Sequence, residues 1–221
     1  MRTPWVVGVS GASGTPYARA VLTGLLDADQ PVDLVVSRAA RLTILDETGL
    51  SFRDAHWQQD LADWLGREIP EAGGATDGVD GTTAASVRYW AAGDLAAGPS
   101  SGSYPTRGMV VVPASTAAVA GIAIGLSKDL LQRAADVTLK ERRPLVIVPR
   151  ETPYTRATLQ HLLELHDAGA TVLPASPGFY SAPKDVQQLV DFVAAKVLDA
   201  IGVGHDLITR WTGELGGARD R

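Results

Sequence analysis

The fold of this chain is decided by residues 6–18, "VVGVSGASGTPYA", in which a short β-branched run leads into a glycine-rich turn. The run that ends at Val9 has the composition of a buried strand. Thr15 suits the N-cap of a helix, and Pro16 suits its first position. The end of the strand and the turn that follows it contain three glycines and three hydroxyl side chains: Gly8, Gly11, Gly14, Ser10, Ser13 and Thr15. The stretch therefore predicts a strand joined to a helix by a tight turn.

The same alternation of strand and helix continues along the chain. Short apolar runs predict buried strands at Trp5–Val9, Val32–Val36, Met109–Val112, Leu145–Val148 and Thr171–Leu173. Helices are predicted from Thr15 onward, from Ser37 to Gly49, and over residues 127–142, 155–168 and 184–201, the last with Val186, Leu189, Val190, Val193 and Val197 facing inward. The strands are continuously apolar, as parallel strands covered on both faces are. This pattern predicts an α/β fold: a Rossmann-like or flavodoxin-like three-layer sandwich around a mostly parallel sheet.

We expect one domain over residues 1–221, because this length suits a single substantial core. Residues 68–107 are rich in Gly, Ala, Ser and Thr. They are predicted to leave the main sheet and return over its active face, with a strand at Ala85–Trp90. Residues 203–221 are predicted to form a C-terminal helix or tail.

Composition excludes several classes of function. The net charge of −5 and the pI near 5.3 argue against a nucleic-acid partner, because the field of the protein repels polyanions. The absence of cysteine excludes disulfides, thiolate metal sites and thiol nucleophiles. The four histidines are scattered along the chain, so no metal site is expected.

One uncharged stretch, residues 108–127, has the length of a membrane-spanning helix. Pro113 lies between its β-branched half and its alanine-rich half, which favours a buried strand, a turn and a buried helix instead. The first apolar run is six residues long, too short for a secretory signal. We therefore expect a soluble, cytoplasmic protein with no membrane partner.

The glycine spacing is G-x-x-G-x-x-G, and Ser37 stands where a dinucleotide-binding fold would place an acidic residue. Taken alone, the turn suits either a phosphate or cofactor loop or a simple tight turn. The other predicted strands also end in polar residues: Ser37-Arg38, "PAST" at 113–116, "PRE" at 149–151 and "SPGFY" at 176–180. Parallel strands bring these loops to one edge of the sheet, which predicts a single ligand cleft there.

Taken together, these loops resemble the flavin prenyltransferase family, the UbiX type. The motifs that carry the resemblance are "GVSGASG" at 8–14, "SRAA" at 37–40, "ET" at 47–48, "SSGSYPTRGMVVVPAST" at 100–116, "RAADVTLKERRPLVIVPRETP" at 133–153, "LPASPGFY" at 173–180 and "RW" at 210–211. They extend over nearly the whole chain.

The resemblance implies a transferase that joins a dimethylallyl group to reduced FMN, closes a fourth ring and releases phosphate without a metal. The donor would be dimethylallyl monophosphate or diphosphate. The product, prenylated FMN, would pass to a UbiD-type decarboxylase. Members of the family form homododecamers whose sites are shared between subunits.

The resemblance also implies roles for individual residues. FMN would be held by Gly11, Ala12, Ser13, Ser37, Ala114, Ser115, Thr116, Ala117 and Arg150. The prenyl phosphate would be held by Lys140, Arg150, Tyr180 and Lys196, with Trp211 as an aromatic wall. Arg133 lies seven residues before Lys140 on the same helical face and could reach the same anion. The catalytic residues would be Glu151, which exchanges a proton with the departing phosphate with help from Ser13, Glu47 at the flavin ring, and Lys140.

Several of these positions also have plain structural interpretations. Lys140 could belong to a solvated helix end, as we expect for Arg142 and Arg143, to which we assign no site role. Glu47 could be a surface residue, and Trp211 a packing anchor. Lys196 stands where the family favours arginine, which keeps the charge and loses the bidentate fork.

Two other functions share the expected fold. An FMN-dependent cysteine decarboxylase would carry a proline–methionine–asparagine motif, whereas the two methionines here are Met1 and Met109 and neither lies in such a motif. A non-catalytic FMN-binding subunit of a decarboxylase complex would not need a second anion clamp beside the flavin.

Overall fold

The protein was examined as a computed structural model that describes residues 3–69, 86–180 and 182–210. Six strands are described: β1 (Trp5–Val9), β2 (Val32–Val36), β3 (Val87–Ala91), β4 (Gly108–Ala114), β5 (Leu145–Pro149) and β6 (Thr171–Val172). Seven α-helices are described: α1 (Thr15–Asp27), α2 (Arg38–Thr48), α3 (Trp57–Leu65), α4 (Thr116–Ala123), α5 (Leu130–Lys140), α6 (Arg156–Asp167) and α7 (Val186–Ala200). Short 3-10 turns lie at Asp54–His56 and Gly98–Ser100.

The described strands form one parallel sheet in the order β3-β2-β1-β4-β5-β6. The strand order reverses between β1 and β4, which is the topological switch point of a doubly wound fold. The predicted three-layer α/β fold is confirmed. The strand predicted near Ala85–Trp90 also exists, as β3. The expectation that residues 68–107 leave the main sheet was wrong for β3, which pairs with β2 as the edge strand. Residues 70–85 lie outside the described part.

The helices cover the sheet in two layers, because alternate side chains of each strand face opposite ways. On one face, Val7, Leu34 and Val110 pack with α1, α2, α3 and α7. On the other, Val111 and Ile147 pack with α4, α5 and α6. The strands are therefore buried on both sides, as their continuous apolar composition predicts.

Local capping explains most helix starts. Ser37, Ser115, Asp129, Thr155 and Asp185 each accept a hydrogen bond from a backbone N–H in the first turn of α2, α4, α5, α6 and α7. Helix α1 is different. Its N-cap is Gly14 in a left-handed conformation (φ 112°), and no side-chain cap bond comes from that position. The prediction that Thr15 caps this helix was wrong, because Thr15 is its first residue.

Three further features differ from expectation. Val186 is exposed, because it is the first residue of α7 and extends past the core; Val190, Val193 and Val197 are buried as predicted. Helix α3 was not predicted. Residues 203–210 contain no helix, and residues 211–221 of the expected C-terminal element lie outside the described part. Among the described helices, none is both long and apolar enough to cross a membrane.

Candidate functional site

A buried serine joins the two loops at the switch point. The Ser10 hydroxyl donates to the carbonyl of Pro113 (2.8 Å) and accepts from the N–H of Ser115 (2.7 Å). The turn after β1 and the turn after β4 are thereby locked side by side at the carboxyl edge of the sheet. Sequence analysis gave Ser10 no role. The sequence feature that could have identified Ser10 is its position directly after a buried strand, because a buried hydroxyl there needs hydrogen-bond partners.

Glycine is required at two positions of the first turn, for a different structural reason at each. A Cβ added at Gly11 would lie 2.4 Å from the Cβ of Ala39, so glycine allows the turn to pack against α2. Gly14 needs its left-handed backbone to begin α1. Of the two residues between them, Ala12 is buried and Ser13 is exposed. The turn is therefore a closely packed platform with Ser13 at its surface.

Glu47, from the end of α2, caps the N-terminus of α1. Its carboxylate accepts from the N–H of Gly14 (2.8 Å), the N–H of Thr15 (2.8 Å) and the hydroxyl of Thr15 (2.7 Å). The missing local cap of α1 is thus supplied by a residue more than thirty positions away. This binds Glu47 to the glycine turn, which rules out the interpretation of Glu47 as an unattached surface residue.

The surroundings of Glu47 favour its charged form. Partial burial raises the pKa of the carboxyl, but hydrogen bonds from the Thr15 and Ser13 hydroxyls and from the backbone of Gly14 and Thr15 outweigh burial. The net pKa lies below the ordinary value. Glu47 therefore stands at the turn as a carboxylate at neutral pH.

Hydroxyl groups at two strand ends keep a proton to donate. The Ser37 hydroxyl accepts from the N–H of Ala40 (3.1 Å), and that of Ser115 accepts from the N–H of Ala118 (3.2 Å). Each capping bond uses an oxygen lone pair and leaves the hydroxyl hydrogen for another acceptor. Next to Ser115, Ala114 is buried and Thr116 half-buried; Ala117 is exposed.

Arg150 brings a cation to this edge. It follows β5, and its N–H donates to the carbonyl of Ala114 (3.2 Å). Its Cγ lies 3.6 Å from the position that a Cβ on Gly14 would take. Its Nε is buried and has no hydrogen-bond partner among the described residues. Burial raises the pKa of the neighbouring Tyr17, and the charge of Arg150 partly offsets that rise.

These features fit a flavin mononucleotide. A buried guanidinium N–H without a partner is costly unless a ligand accepts from it, and a phosphate accepts well from arginine. The serine hydroxyls offer donors for the ring and ribityl oxygens. Position and charge thus agree with the expected FMN site.

Two further predicted residues follow strand ends on the same edge. Glu151 is exposed, and its carboxylate accepts from the N–H of Thr152 (2.9 Å). Tyr180 is exposed, and its ring packs edge-on against Phe192 with 5.7 Å between centroids. Both side chains are exposed to solvent.

The remaining predicted cations lie elsewhere in the chain. Lys140 is the last residue of α5, which leads into the amino end of β5, and Arg150 follows the carboxyl end of that strand. Five strand residues at about 3.3 Å each separate the two ends by about 16 Å. Arg133, also on α5, bonds to the carbonyl of Ser100 (3.1 Å) and to Asp136 (2.7 Å).

Lys196 lies on α7, on the other face of the sheet from α5, and pairs with Asp199 (3.4 Å). Trp211 lies outside the described residues. One chain therefore brings together the glycine turn, Glu47, Ser115 and Arg150, but not Lys140 or Lys196. Within the described ranges, no group of three or more His, Asp or Glu side chains is arranged to hold a metal ion.

Proteins that have been characterised by name or by structure are similar to this chain in sequence and in fold. The chain matches the family model described as flavoprotein over residues 1–198. It is 68% identical over 216 residues to the flavin prenyltransferase UbiX of Streptomyces coelicolor, with 98% of each chain covered.

Two solved structures agree with this relationship. AnUbiX (PadA1), in complex with FMN and dimethylallyl pyrophosphate, is 33% identical with a TM-score of 0.79, covering 97% of this chain and 100% of its own. The dodecameric FMN-dependent UbiX-like decarboxylase from Escherichia coli O157:H7 is 35% identical with a TM-score of 0.78, covering 96% and 100%. Sequence and fold agree along almost the entire length, and this chain belongs to the flavin prenyltransferase (UbiX) family of flavoproteins.

Proposed function

We propose that this protein transfers the dimethylallyl group of a dimethylallyl phosphate to reduced FMN, forming prenylated FMN. The observation that carries this proposal is Arg150, whose buried Nε has no hydrogen-bond partner in the described part of the chain and lies beside a glycine turn at the switch point of the sheet. An anionic ligand at that place satisfies the guanidinium. The reduced flavin, when bound, supplies the ring atoms to which the prenyl group is joined.

The residues at the carboxyl edge hold and orient FMN. The turn Gly11–Gly14 gives a close-packed surface, and the Ser37, Ser115 and Thr116 hydroxyls donate to flavin oxygens. Ala114 and Ala117 line the same edge with small side chains. Glu47 holds the turn in place, so a carboxylate lies beside the flavin where the fourth ring closes.

The departing phosphate needs positive charge in place of a divalent metal ion. Arg150 offers a guanidinium fork and Tyr180 a hydroxyl donor, and Lys196 would offer an ammonium group from a second copy of the chain. Glu151 exchanges a proton with the phosphate, with the exposed Ser13 hydroxyl as its helper. Lys196 must exchange its contact with Asp199 for the phosphate when the substrate binds.

We propose that Lys140 and Arg133 complete the site of a second copy of the chain. Lys140 cannot reach Arg150 of its own chain across the length of β5, and its side chain is exposed at the end of α5; Arg133 lies two turns earlier on the same helix and is half-buried. A head-to-tail contact that repeats around a closed assembly gives every copy one complete site. A dodecamer satisfies this requirement, and Trp211 would close the same pocket.

The biological setting follows from the product. Prenylated FMN serves a UbiD-type decarboxylase, which we propose as the recipient. A cytoplasmic location suits this exchange between two enzymes. A non-catalytic FMN-binding subunit would not need the set Lys140, Arg150, Glu151 and Tyr180, because storage of FMN requires no second anion clamp. The sequence lacks the motif of the cysteine decarboxylases.

Anaerobic incubation with reduced FMN and dimethylallyl monophosphate tests the proposal. Without added metal, and with a chelator present, the flavin should gain the mass of one five-carbon unit. Dimethylallyl diphosphate in a parallel reaction identifies the preferred donor. A flavin of unchanged mass with both donors, while FMN still binds, would leave only the carrier function.

A further inference from the structure

The C-terminal end of α5 places the side chain of Arg143 against the loop of residues 101–106. The N–H of Arg142 donates to the carbonyl of Leu139 (2.9 Å), and the N–H of Arg143 donates to that of Thr138 (3.0 Å). With Arg142 in a left-handed conformation (φ 54°), these two bonds form a Schellman motif. The motif fixes the direction in which the chain leaves the helix. Arg143 therefore has a defined position rather than that of a solvated helix end.

The Arg143 guanidinium holds this loop at three points. It donates to the carbonyl of Gly102 (2.7 Å), the carbonyl of Tyr104 (3.0 Å) and the hydroxyl of Thr106 (3.0 Å). Arg143 is half-buried, whereas the adjacent Arg142 is exposed. Three charge-assisted bonds to one short segment need the planar fork of arginine. The interpretation of Arg143 as part of a solvated helix end was therefore wrong.

The held segment lies directly against Lys140. A Cβ added at Gly102 would lie 2.6 Å from the Lys140 Nζ and 2.1 Å from Glu141 Oε1. The Ser101 and Ser103 hydroxyls, on either side of Gly102, are 2.9 Å apart. The loop thus lies against the ion pair that Lys140 forms with Glu141 and limits where the Lys140 ammonium can go.

The two ends of the loop are fixed separately. The carbonyl of Ser100, before Gly102, accepts from Arg133. The Tyr104 hydroxyl, after Gly102, donates to the buried Asp33 (2.9 Å) and accepts from Arg88 (3.1 Å). Between these anchors, Arg143 holds the Gly102 peptide itself.

We propose that Arg143 is a positioning residue that holds the Ser101–Ser103 segment against Lys140, so that both meet the prenyl phosphate in the site of a second copy. The inference rests on the proposed function, because it assigns Lys140 to that phosphate. Arg143 itself does not touch the substrate. Its loss should weaken recognition of the prenyl phosphate and leave the flavin site intact.

The test compares Arg143→Gln and Arg143→Lys with Arg142→Gln as the matched control, in the FMN-loaded assembly. For Arg143→Gln, the KM for dimethylallyl monophosphate should rise by about tenfold or more, since charge-assisted bonds to the loop are lost. The KM for FMN should stay within about twofold of the wild type, because its site lies at the opposite sheet edge. Arg143→Lys should be intermediate, and Arg142→Gln should behave as wild type.

Hydrogen exchange gives a second readout that does not depend on turnover. Amides of residues 101–106 should exchange faster in Arg143→Gln than in Arg142→Gln, while the glycine turn stays equally protected. An unchanged KM for the prenyl phosphate, or equal rises in both KM values, would overturn the inference. If Arg143→Gln does not fold, Arg143→Lys is judged by the same criteria.

A failure of the proposed function can be distinguished from a failure of the inference about Arg143. In that case the wild type forms no prenylated flavin. The inference is then decided by calorimetric binding of dimethylallyl monophosphate to the FMN-loaded protein. Weaker binding to Arg143→Gln than to Arg142→Gln supports it, and equal or undetectable binding to both overturns it.

Discussion

The contact between Glu47 and the first helix gives the most quantitative prediction. Glu47→Ala removes the acceptor of hydrogen bonds from two backbone N–H groups and from the hydroxyls of Thr15 and Ser13. Because the contact is partly exposed, water can replace part of the loss. The effect should match the loss of a helix cap, about 1–2 kcal/mol in the free energy of unfolding. For a chain of this size that is a fall of about 2–8 °C in Tm.

The pH dependence provides a separate check, and its sign follows from the pKa of Glu47. The folded state lowers that pKa below its ordinary value of 4.5. The stabilisation by Glu47 is therefore fully present above the unfolded value and is lost as the pH falls through the folded one. The Tm difference between wild type and Glu47→Gln should be constant near neutral pH and shrink below pH 4.5.

Thermal denaturation at fixed protein concentration measures this effect, since assembly also contributes to Tm. Asp46→Asn is the matched control, because Asp46 is the adjacent exposed acid on α2. A Glu47→Ala variant with wild-type Tm at pH 7 would refute the capping role. A Tm difference between wild type and Glu47→Gln that stays constant below pH 4.5 would also refute the capping role.

Three further predictions concern the site. Ser10→Ala should lower stability by about 1–3 kcal/mol, because the Pro113 carbonyl and the Ser115 N–H lose their partner; urea denaturation measures this, and a change near zero would contradict it. Glu151→Gln should still bind FMN in a fluorescence titration but form product about 10²–10⁴ times more slowly, whereas a wild-type rate would remove Glu151 from proton transfer. Lys140→Ala should raise the KM for the prenyl phosphate by about tenfold and leave that for FMN nearly unchanged, and equal rises in steady-state assays would show that Lys140 is misplaced.

Much of the fold could be predicted from local patterns. Strands β1 and β2 have the predicted bounds, since continuous apolar runs between turn signals identify buried parallel strands. Ser37 and Thr155 mark helix starts because capping depends on residues three positions apart. Strand β3 was harder to place. Its sequence, "VRYWA", contains a charged residue and is mostly half-buried at the sheet edge, and nothing local shows that it pairs with β2.

The residues at the edge of the sheet could be predicted from the sequence, but the hydrogen bonds that join distant residues could not. The loops after parallel strands converge by topology, so Arg150 and Ser115 could be placed together. The bonds from Glu47 to Gly14 and from Arg143 to Gly102 join positions far apart in sequence and have no local signature. The separation of Lys140 from Arg150 follows from the predicted strand Leu145–Val148 that lies between them, whereas the family resemblance assigned both residues to one phosphate.

The claim that Lys140 and Arg150 meet only between two copies of the chain is tested most directly by mixed assemblies. Assayed at a prenyl phosphate concentration well below the wild-type KM, Lys140→Ala and Arg150→Ala should each form product at about a tenth of the wild-type rate or less. The two variants are co-expressed with different tags, and assemblies that contain both are purified through both tags. Random assembly gives an intact Arg150 from one copy and an intact Lys140 from its neighbour at about one site in four, so the mixed assemblies should recover about a quarter of wild-type product formation. Mixed assemblies as inactive as either variant alone would contradict the shared site.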